Sequence, residues 1–144
     1  MSDATENTIT LARTIDAPVE EIFAAWTDPA LLEQWQADHV EFEPFEGGSF
    51  RLETEDDAQP GRSLVVTGTV VSFEEDHKLV ELWHPEGGAP DEDSTLIVTF
   101  ESLGAARTRL SLVEIAAAHA DPQSRIFAME AWDAALGELA DLLE

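Results

Sequence analysis

The sequence predicts a single α+β domain. Alternating apolar and polar residues, typical of half-buried strands, run through its first part and its middle, and a long stretch with helical periodicity follows them. Its length of 144 residues suits one domain, and its hydrophobic content of 44% is that of a globular protein. We expect residues 1–7 to form a flexible N-terminus and residues 8–144 to form the domain.

The first part of the domain is predicted to hold one strand and two short helices. Residues 8–15 alternate between apolar and polar side chains, which indicates a strand. Pro18 suits the first position of a helix, because a proline there loses no hydrogen bond, and the apolar residues after it recur at intervals of three and four. Asp28 and Pro29 repeat this signal, with the aspartate as N-cap of a second helix that runs towards Trp35.

Six further strands are predicted between residues 38 and 115. Gly47 and Gly48 mark the turn of a first hairpin, and Gly68, inside a long segment rich in valine and threonine, indicates a bulge or a bend. The six segments are Val40–Phe42, Phe50–Leu52, Leu64–Phe73, Lys78–Trp83, Ser94–Glu101 and Arg107–Ile115.

A long helix is predicted to complete the domain. Asp121 and Pro122 give a third N-cap followed by proline. The apolar residues that follow step by three, four, three and four, so we expect them to form one buried face: Met129, Trp132, Leu136, Leu139 and Leu143. The predicted element order is therefore β-α-α-β-β-β-β-β-β-α.

Several short motifs narrow the fold further. They are Ile15-Asp16-Ala17-Pro18, Ala25-Trp26-Thr27-Asp28-Pro29, Gly47-Gly48-Ser49-Phe50-Arg51, Gly68-Thr69-Val70 and Ala131-Trp132. In this order they resemble the family of homologues of the activator of the 90-kDa heat-shock-protein ATPase, within the START-related, birch-pollen-allergen-like (SRPBCC) superfamily. The resemblance implies a helix-grip fold, in which a curved antiparallel sheet wraps around the C-terminal helix and an internal cavity. The chain departs from the pattern at Gln36, where the family often has tryptophan, and at Ala131, where it often has glycine.

The charge of the chain excludes several classes of partner. Its 7 Lys and Arg residues against 31 Asp and Glu residues give a formal net charge of −24, which repels nucleic acid and anionic lipid surfaces. No stretch approaches the length of a membrane span, and the first seven residues lack the features of a secretion signal. We therefore expect a soluble cytoplasmic protein with no membrane insertion and no nucleic-acid partner.

Most kinds of catalytic or metal site also lack a signature. The chain has no cysteine, and its four histidines are not spaced as metal ligands: His39, His77, His84 and His119. Neither a nucleophile elbow nor a phosphate-binding glycine loop is present. We therefore predict no metal, no cofactor and no assigned catalytic residue.

Large aromatic residues point instead to a ligand cavity. Those on elements that converge in a helix-grip fold are Trp26, Trp35, Phe50, Trp83, Phe127 and Trp132. Ligand cavities are mostly apolar, so these residues are candidate lining. The alternative is that they simply fill the core.

Two acidic residues are the candidate polar groups of the cavity. Glu81 alternates in phase with Trp83, and Glu114 with Leu112, so an inward-facing strand would bury each carboxyl group. A buried carboxylate needs a partner such as Arg51 or Arg109, a ligand, or a role as a general acid. The alternative is that a bulge, or the other strand phase, turns each acid to solvent.

Three functions are consistent with these features. The first is binding of a hydrophobic or amphipathic small molecule in the cavity, with one acid orienting a polar group. The second, implied by the resemblance, is a co-chaperone-like interaction with an ATPase partner. The third is acid–base catalysis by Glu81 or Glu114 on a cyclic or polyketide-like substrate.

The composition generates a prediction about salt. A single lysine and an excess of acidic residues are similar to the composition of proteins from salt-accumulating halophiles. In 1 M salt the Debye length is about 3 Å, so the repulsion among these carboxylates is screened. The melting temperature should therefore rise by several degrees between dilute and molar KCl. A parallel titration with sucrose controls for solute exclusion. An unchanged melting temperature in KCl would contradict the prediction.

Overall fold

The computed structural model describes residues 7–55, 58–59, 61–89 and 92–144. Most of the N-terminus expected to be flexible, residues 1–6, lies outside these ranges. Within them the chain forms strands β1 (Thr8–Ile15), β2 (His39–Phe42), β3 (Ser49–Glu55), β4 (Ser63–Glu74), β5 (Lys78–Pro85), β6 (Ser94–Gly104) and β7 (Arg107–Ala116). The helices are α1 (Val19–Thr27), α2 (Pro29–Trp35) and α3 (Pro122–Leu143), with a 3-10 turn over Ala117–Ala120 before α3.

The described strands form one antiparallel sheet in the order β1-β7-β6-β5-β4-β3-β2. Five of its six pairings join consecutive strands, and the sixth places β1 beside β7. All three helices pack on the inner face, so this is the α+β helix-grip fold that the sequence predicts. Among the described helices, none is long and apolar enough to cross a membrane.

The core lies between the inner face of the sheet and the helices. Leu79, Leu96 and Leu112 come from adjacent strands and are fully buried. Trp26 of α1 and Leu136 of α3 complete this cluster from the helical side. The period-2 pattern of these strands thus places the three leucines inward, as expected for a sheet covered on one face.

The helix starts follow the predicted caps closely. The carboxylate of Asp28 accepts a hydrogen bond from the Ala30 N–H at 2.9 Å, and that of Asp121 accepts one from the Ser124 N–H at 3.3 Å. The prediction for α1 was wrong by one residue, because Pro18 has an extended backbone (ψ 149°) and is the N-cap instead of the first helical residue.

Of the bulge or bend predicted at Gly68, the bulge was wrong. The register of β4 shifts between Val70 and Ser72, while Gly68 pairs regularly with its neighbours. The glycine is needed for close approach: an added Cβ would collide with the Leu82 carbonyl oxygen and the Phe50 ring. A glycine inside a strand can mark a bulge or a site where another group approaches the backbone closely. Here the Phe50 ring lies over the glycine, so close approach is the reason.

The apolar face predicted for α3 is only partly buried. Leu136 and Leu139, in the second half of the helix, are buried. Met129 was expected on the same buried face but is 38% exposed, and Ile126 and Phe127 are exposed at 58% and 74%. The first half of α3 is therefore less buried than the second half.

The close packing at Gly68 generates a prediction. Gly68→Ala should lower the free energy of unfolding by about 1 to 3 kcal/mol, because the new methyl group overlaps backbone and ring atoms. The matched control is Gly137→Ala in α3, where nothing lies within 4 Å and helix propensity favours alanine by about 1 kcal/mol. Urea denaturation measures both changes. Equal stability of the two variants would contradict this account of Gly68.

Candidate functional site

A groove lies between the first half of α3 and the inner face of the sheet, with a volume of about 360 Å³. Its apolar lining includes Trp83 of β5 and Phe127, Trp132 and Ala135 of α3. Its polar lining consists of Gln36, after α2, and Glu114 of β7. An apolar recess with a few polar groups is the usual character of a small-molecule site.

Glu81 and Glu114 both face inward and lie on one row of side chains across the sheet. Glu81 pairs with Leu96 of β6, and Leu96 pairs with Glu114. The two acids are thus two strands apart, roughly 10 Å between Cα atoms. They are 3% and 9% exposed, so the inward phase, and not the solvent-facing alternative, is the observed one.

Glu81 has an aromatic hydrogen-bond donor as its partner. The Trp83 Nε1–H donates to Oε1 of Glu81 at 2.9 Å. Burial disfavours the charged carboxylate and raises the pKa of Glu81 to about 7, and the Trp83 hydrogen bond opposes this only in part. Near neutral pH the carboxyl group is therefore present in both protonation states.

Glu114 is paired with His119, from the 3-10 turn that follows β7. The distance from Nε2 of His119 to Oε1 of Glu114 is 2.8 Å. His119 is only 4% exposed, so this carboxyl–imidazole pair is buried beside the groove. His119 was not among the residues predicted for the site.

The predicted arginine partners of the two acids were wrong. Arg51 lies on the outer face of the sheet, where its Nη1 donates to Glu53 at 2.9 Å. Arg109 is exposed, on the opposite phase of β7 from Glu114. Both arginines occupy the alternate positions of their strands, which point to solvent.

Five of the six predicted aromatic residues form one connected set of ring contacts, and the sixth, Phe127, is an exposed residue at the edge of the groove. Trp132 stacks on Trp26 at 6.1 Å between ring centroids and meets Trp83 edge-on at 5.8 Å. Phe50 contacts the other side of Trp83 at 5.9 Å. Trp35 packs against Trp26 at 4.9 Å. Trp83, Phe127 and Trp132 therefore border the groove, and Trp26, Trp35 and Phe50 support them from behind.

Three buried polar atoms around this region have no hydrogen-bond partner among the described residues. They are Nε1 of Trp26, Nε2 of Gln36 and Nδ1 of His119. Such atoms are rare in folded proteins because each costs free energy. The sequence singled out Gln36, because it departs from the family pattern. It gave no signal for His119, because residues in a 3-10 turn follow no periodic pattern.

Another surface depression differs from the groove in its lining. A depression of about 560 Å³ lies on the outer side of the sheet, with polar lining from Glu41, Arg51, Thr67 and His84. His84 there is hydrogen-bonded to Asp93. In the part of the chain that the structure describes, no three His, Cys, Asp or Glu residues are grouped to hold a metal ion.

Comparison with known proteins gives one family and a set of similar folds. The family described as Activator of Hsp90 ATPase homolog 1-like protein matches residues 16–144. Protein CV1439 from Chromobacterium violaceum is 24% identical, with a TM-score of 0.78 over 96% of this chain and 98% of that protein. A search of curated proteins finds no match.

Two further solved structures share the fold. PFC0360w, an HSP90 activator from Plasmodium falciparum, is 24% identical with a TM-score of 0.62, over 76% of this chain and 72% of that one. DynU16, a protein in the dynemicin biosynthetic locus, is 24% identical with a TM-score of 0.75, over 94% of this chain and 46% of that one. At this identity, the structures show a common fold.

The raised pKa of Glu81 generates a prediction about pH. The folded protein holds a proton up to about pH 7 that the unfolded chain releases near its ordinary pKa of 4.5. The stability from this proton is therefore full below pH 4.5 and is lost as the pH rises to about 7. Glu81→Gln mimics the protonated form at every pH and keeps an acceptor for Trp83. The free energy of unfolding of Glu81→Gln should exceed that of wild type by an amount that grows from near zero at low pH to about 3 kcal/mol in mild alkali.

Urea denaturation across this pH range measures the free energy of unfolding of both proteins. The other carboxylates are present in both, so their contribution cancels in the difference. Glu130→Gln, at an exposed position of α3, is the control and should show no such trend. A constant difference between wild type and Glu81→Gln would contradict the raised pKa.

Proposed function

We propose that this chain, which belongs to the family of Activator of Hsp90 ATPase homolog 1-like proteins, binds a hydrophobic or amphipathic small molecule in the groove beneath α3. The observation that carries the proposal is the composition of the groove. Tryptophan and alanine side chains border it, and the buried carboxyl group of Glu114 and the amide of Gln36 are its polar lining. Both the apolar area and the sparse polar groups suit one ring-containing ligand.

The two buried acids have different parts in this proposal. Glu114 lines the groove and is placed to orient a polar group of the ligand. Glu81 binds the indole N–H of Trp83 and so fixes the ring that forms one wall. Removing the Glu81 acceptor would leave a buried donor without a partner, so we expect this acid to position the wall and not to contact the ligand.

The charge of the protein narrows the ligand class. With a net charge of −24 and a carboxyl group in the groove lining, an anionic ligand is repelled from a distance and at the site. A neutral or cationic ligand avoids this repulsion. We therefore propose a neutral or cationic ring-containing compound as the ligand.

A protein-interaction function is the second candidate, and the exposed side of α3 favours it. Ile126, Phe127 and Met129 are large apolar residues on the exposed first half of that helix. Exposed apolar patches mark interaction surfaces in many proteins. One solved structure of the same fold is an HSP90 activator, so the partner in this case would be a chaperone-type ATPase.

Acid–base catalysis on a cyclic or polyketide-like substrate is the third candidate. The pKa of Glu81, raised to about 7 by burial, is suited to proton transfer near neutral pH. DynU16, which shares the fold, comes from a biosynthetic locus. The candidate ranks third because Glu81, the acid whose pKa is raised, does not line the groove, whereas Glu114 does.

Filling the groove tests the small-molecule proposal. Ala135→Phe adds a ring inside the groove, whereas Ala134→Phe adds the same ring on the exposed side of α3. The probe is N-phenyl-1-naphthylamine, a neutral fluorescent ring compound. Ala135→Phe should weaken its binding by about tenfold or more, because an overpacked site costs about 1 to 3 kcal/mol.

The control variant Ala134→Phe should bind the probe as wild type does, within about twofold. Fluorescence titration measures all three affinities, and thermal melting shows that each variant is folded. If wild type does not bind the probe, or if both variants bind it equally, the groove is not the ligand site. Capture of a chaperone-type ATPase that depends on Phe127 would then favour the second candidate.

A further inference from the structure

The outer face of the sheet, opposite the helices, carries apolar side chains at its centre. Val80 of β5, Ile97 of β6 and Val113 of β7 are paired across these adjacent strands. They point outward, because the residues before and after each of them are buried on the inner side. Leu82 and Ile115, in the next row, are 40% and 42% exposed. A sheet face that meets only water usually has polar residues at such positions, so this apolar centre needs an explanation.

The apolar centre lies in an area without acidic side chains, which we call the outer patch. The patch consists of three rows of outward residues that cross β5, β6, β7 and β1, and each row runs between one of these pairs: Lys78 and Ala12, Val80 and Thr10, Leu82 and Thr8. Every residue in these rows is exposed or half-buried, and Lys78 is the only charged one. The chain has 31 acidic residues among 144, so this patch differs in charge from the rest of the surface.

The acids at the border of the outer patch are opposite cations. Glu74 of β4 pairs with Lys78, and Glu101 of β6 pairs with Arg109. Opposite charges on neighbouring strands attract each other and offset each other's field. The patch and its border are therefore close to neutral, although the whole chain has a net charge of −24.

The charge of the chain decides which partner suits this patch. A basic partner is attracted to the acidic residues elsewhere on the surface, and an acidic partner is repelled by the net charge of −24. A second copy of the chain also carries −24, so the repulsion between two copies is weakest where neither presents acids. The outer patch meets this condition on both copies at once, as a two-fold contact requires.

The size of the patch suits a weak, reversible contact. Two of its rows continue onto β4 at Ser72 and Thr69, so the area without acids reaches a fifth strand. With about 4.8 Å between strands and about 6.7 Å between rows, it covers roughly 400 to 500 Å² of each copy. Two copies thus bury roughly 800 to 1,000 Å², near the lower limit for a specific interface.

We propose that two copies of this chain associate through their outer patches, as a weak two-fold dimer in which the two sheets pack face to face. Packed sheets lie about 10 Å apart with their strands aligned to within about 30°, which brings the apolar centre of one copy onto that of the other. The groove is on the inner side of each sheet, so the dimer does not depend on the proposed function and leaves both grooves open.

Salt gives this dimer a distinctive signature. The Debye length falls from about 10 Å in 0.1 M salt to about 3 Å in 1 M salt, which screens the repulsion between two copies of net charge −24. Sedimentation velocity over a series of protein concentrations measures the dissociation constant in each salt. We expect a monomer–dimer equilibrium whose dissociation constant falls by about tenfold or more from the lower to the higher KCl concentration.

Charge variants locate the contact. Ile97→Glu, at the centre of the patch, brings like charges together across the two-fold axis and should weaken the dimer by about tenfold or more. Thr99→Glu, at an exposed position of the patch, should act in the same way and serves if Ile97→Glu does not fold. The matched controls are Ile126→Glu on α3 and Thr54→Glu on β3, both exposed and off the patch. They should change the dissociation constant by no more than about twofold.

A dimer that strengthens in KCl and is weakened by Ile97→Glu or Thr99→Glu, but not by the controls, supports the inference. A monomer under every condition overturns it, as does a dimer that KCl dissociates or assembly in KCl into larger species only. A dimer that keeps its affinity in Thr99→Glu also overturns it, and loss in Ile126→Glu would then assign the contact to α3. Because probe binding in the groove is measured separately, either proposal can fail while the other stands.

Discussion

The covering of the sheet's inner face by α3 is the constraint on which the rest of the structure depends. A sheet with one apolar face must bury that face, and the second half of α3 does so through Leu136 and Leu139. The first half of the helix is less buried, and a groove lies between it and the strands. The groove and the exposed end of α3 are two results of this incomplete cover.

The inward acids are stabilised without arginine, which is unusual for buried carboxyl groups. Glu81 has an indole N–H as its partner and Glu114 has an imidazole. The arginines remain outside, as in the ion pairs of Arg51 with Glu53 and of Arg107 with Asp16. Burying an ion pair costs desolvation of two charges, whereas the neutral indole donor lets the Glu81 carboxyl group itself become neutral. Among the residues that the structure describes, no arginine or lysine is buried.

Much of the fold could be predicted from the sequence, because strand alternation and aspartate caps are local signals. The same alternation placed Glu81 and Glu114 in phase with apolar neighbours but left open whether those faces point inward, which their burial in the structure decides. The extent of burial along α3 could not be predicted, since periodicity identifies a helical face but not where the sheet beneath it ends; Met129 shows this. His119 was not predicted as a site residue, because a 3-10 turn has no repeating pattern. Its contact with Glu114 of β7 is visible only in the structure.

The pairing of β1 with β7 bears on how the chain folds. Thr108, in β7, donates a hydrogen bond to the carbonyl of Ala17, 91 positions earlier in the chain. The first strand thus pairs across almost the whole length of the chain, and such long-range contacts slow folding. The groove takes its lining from Gln36, β5, β7 and α3, so it exists only when these distant parts of the chain are assembled. Any binding at the groove would therefore report assembly of the sheet together with α3.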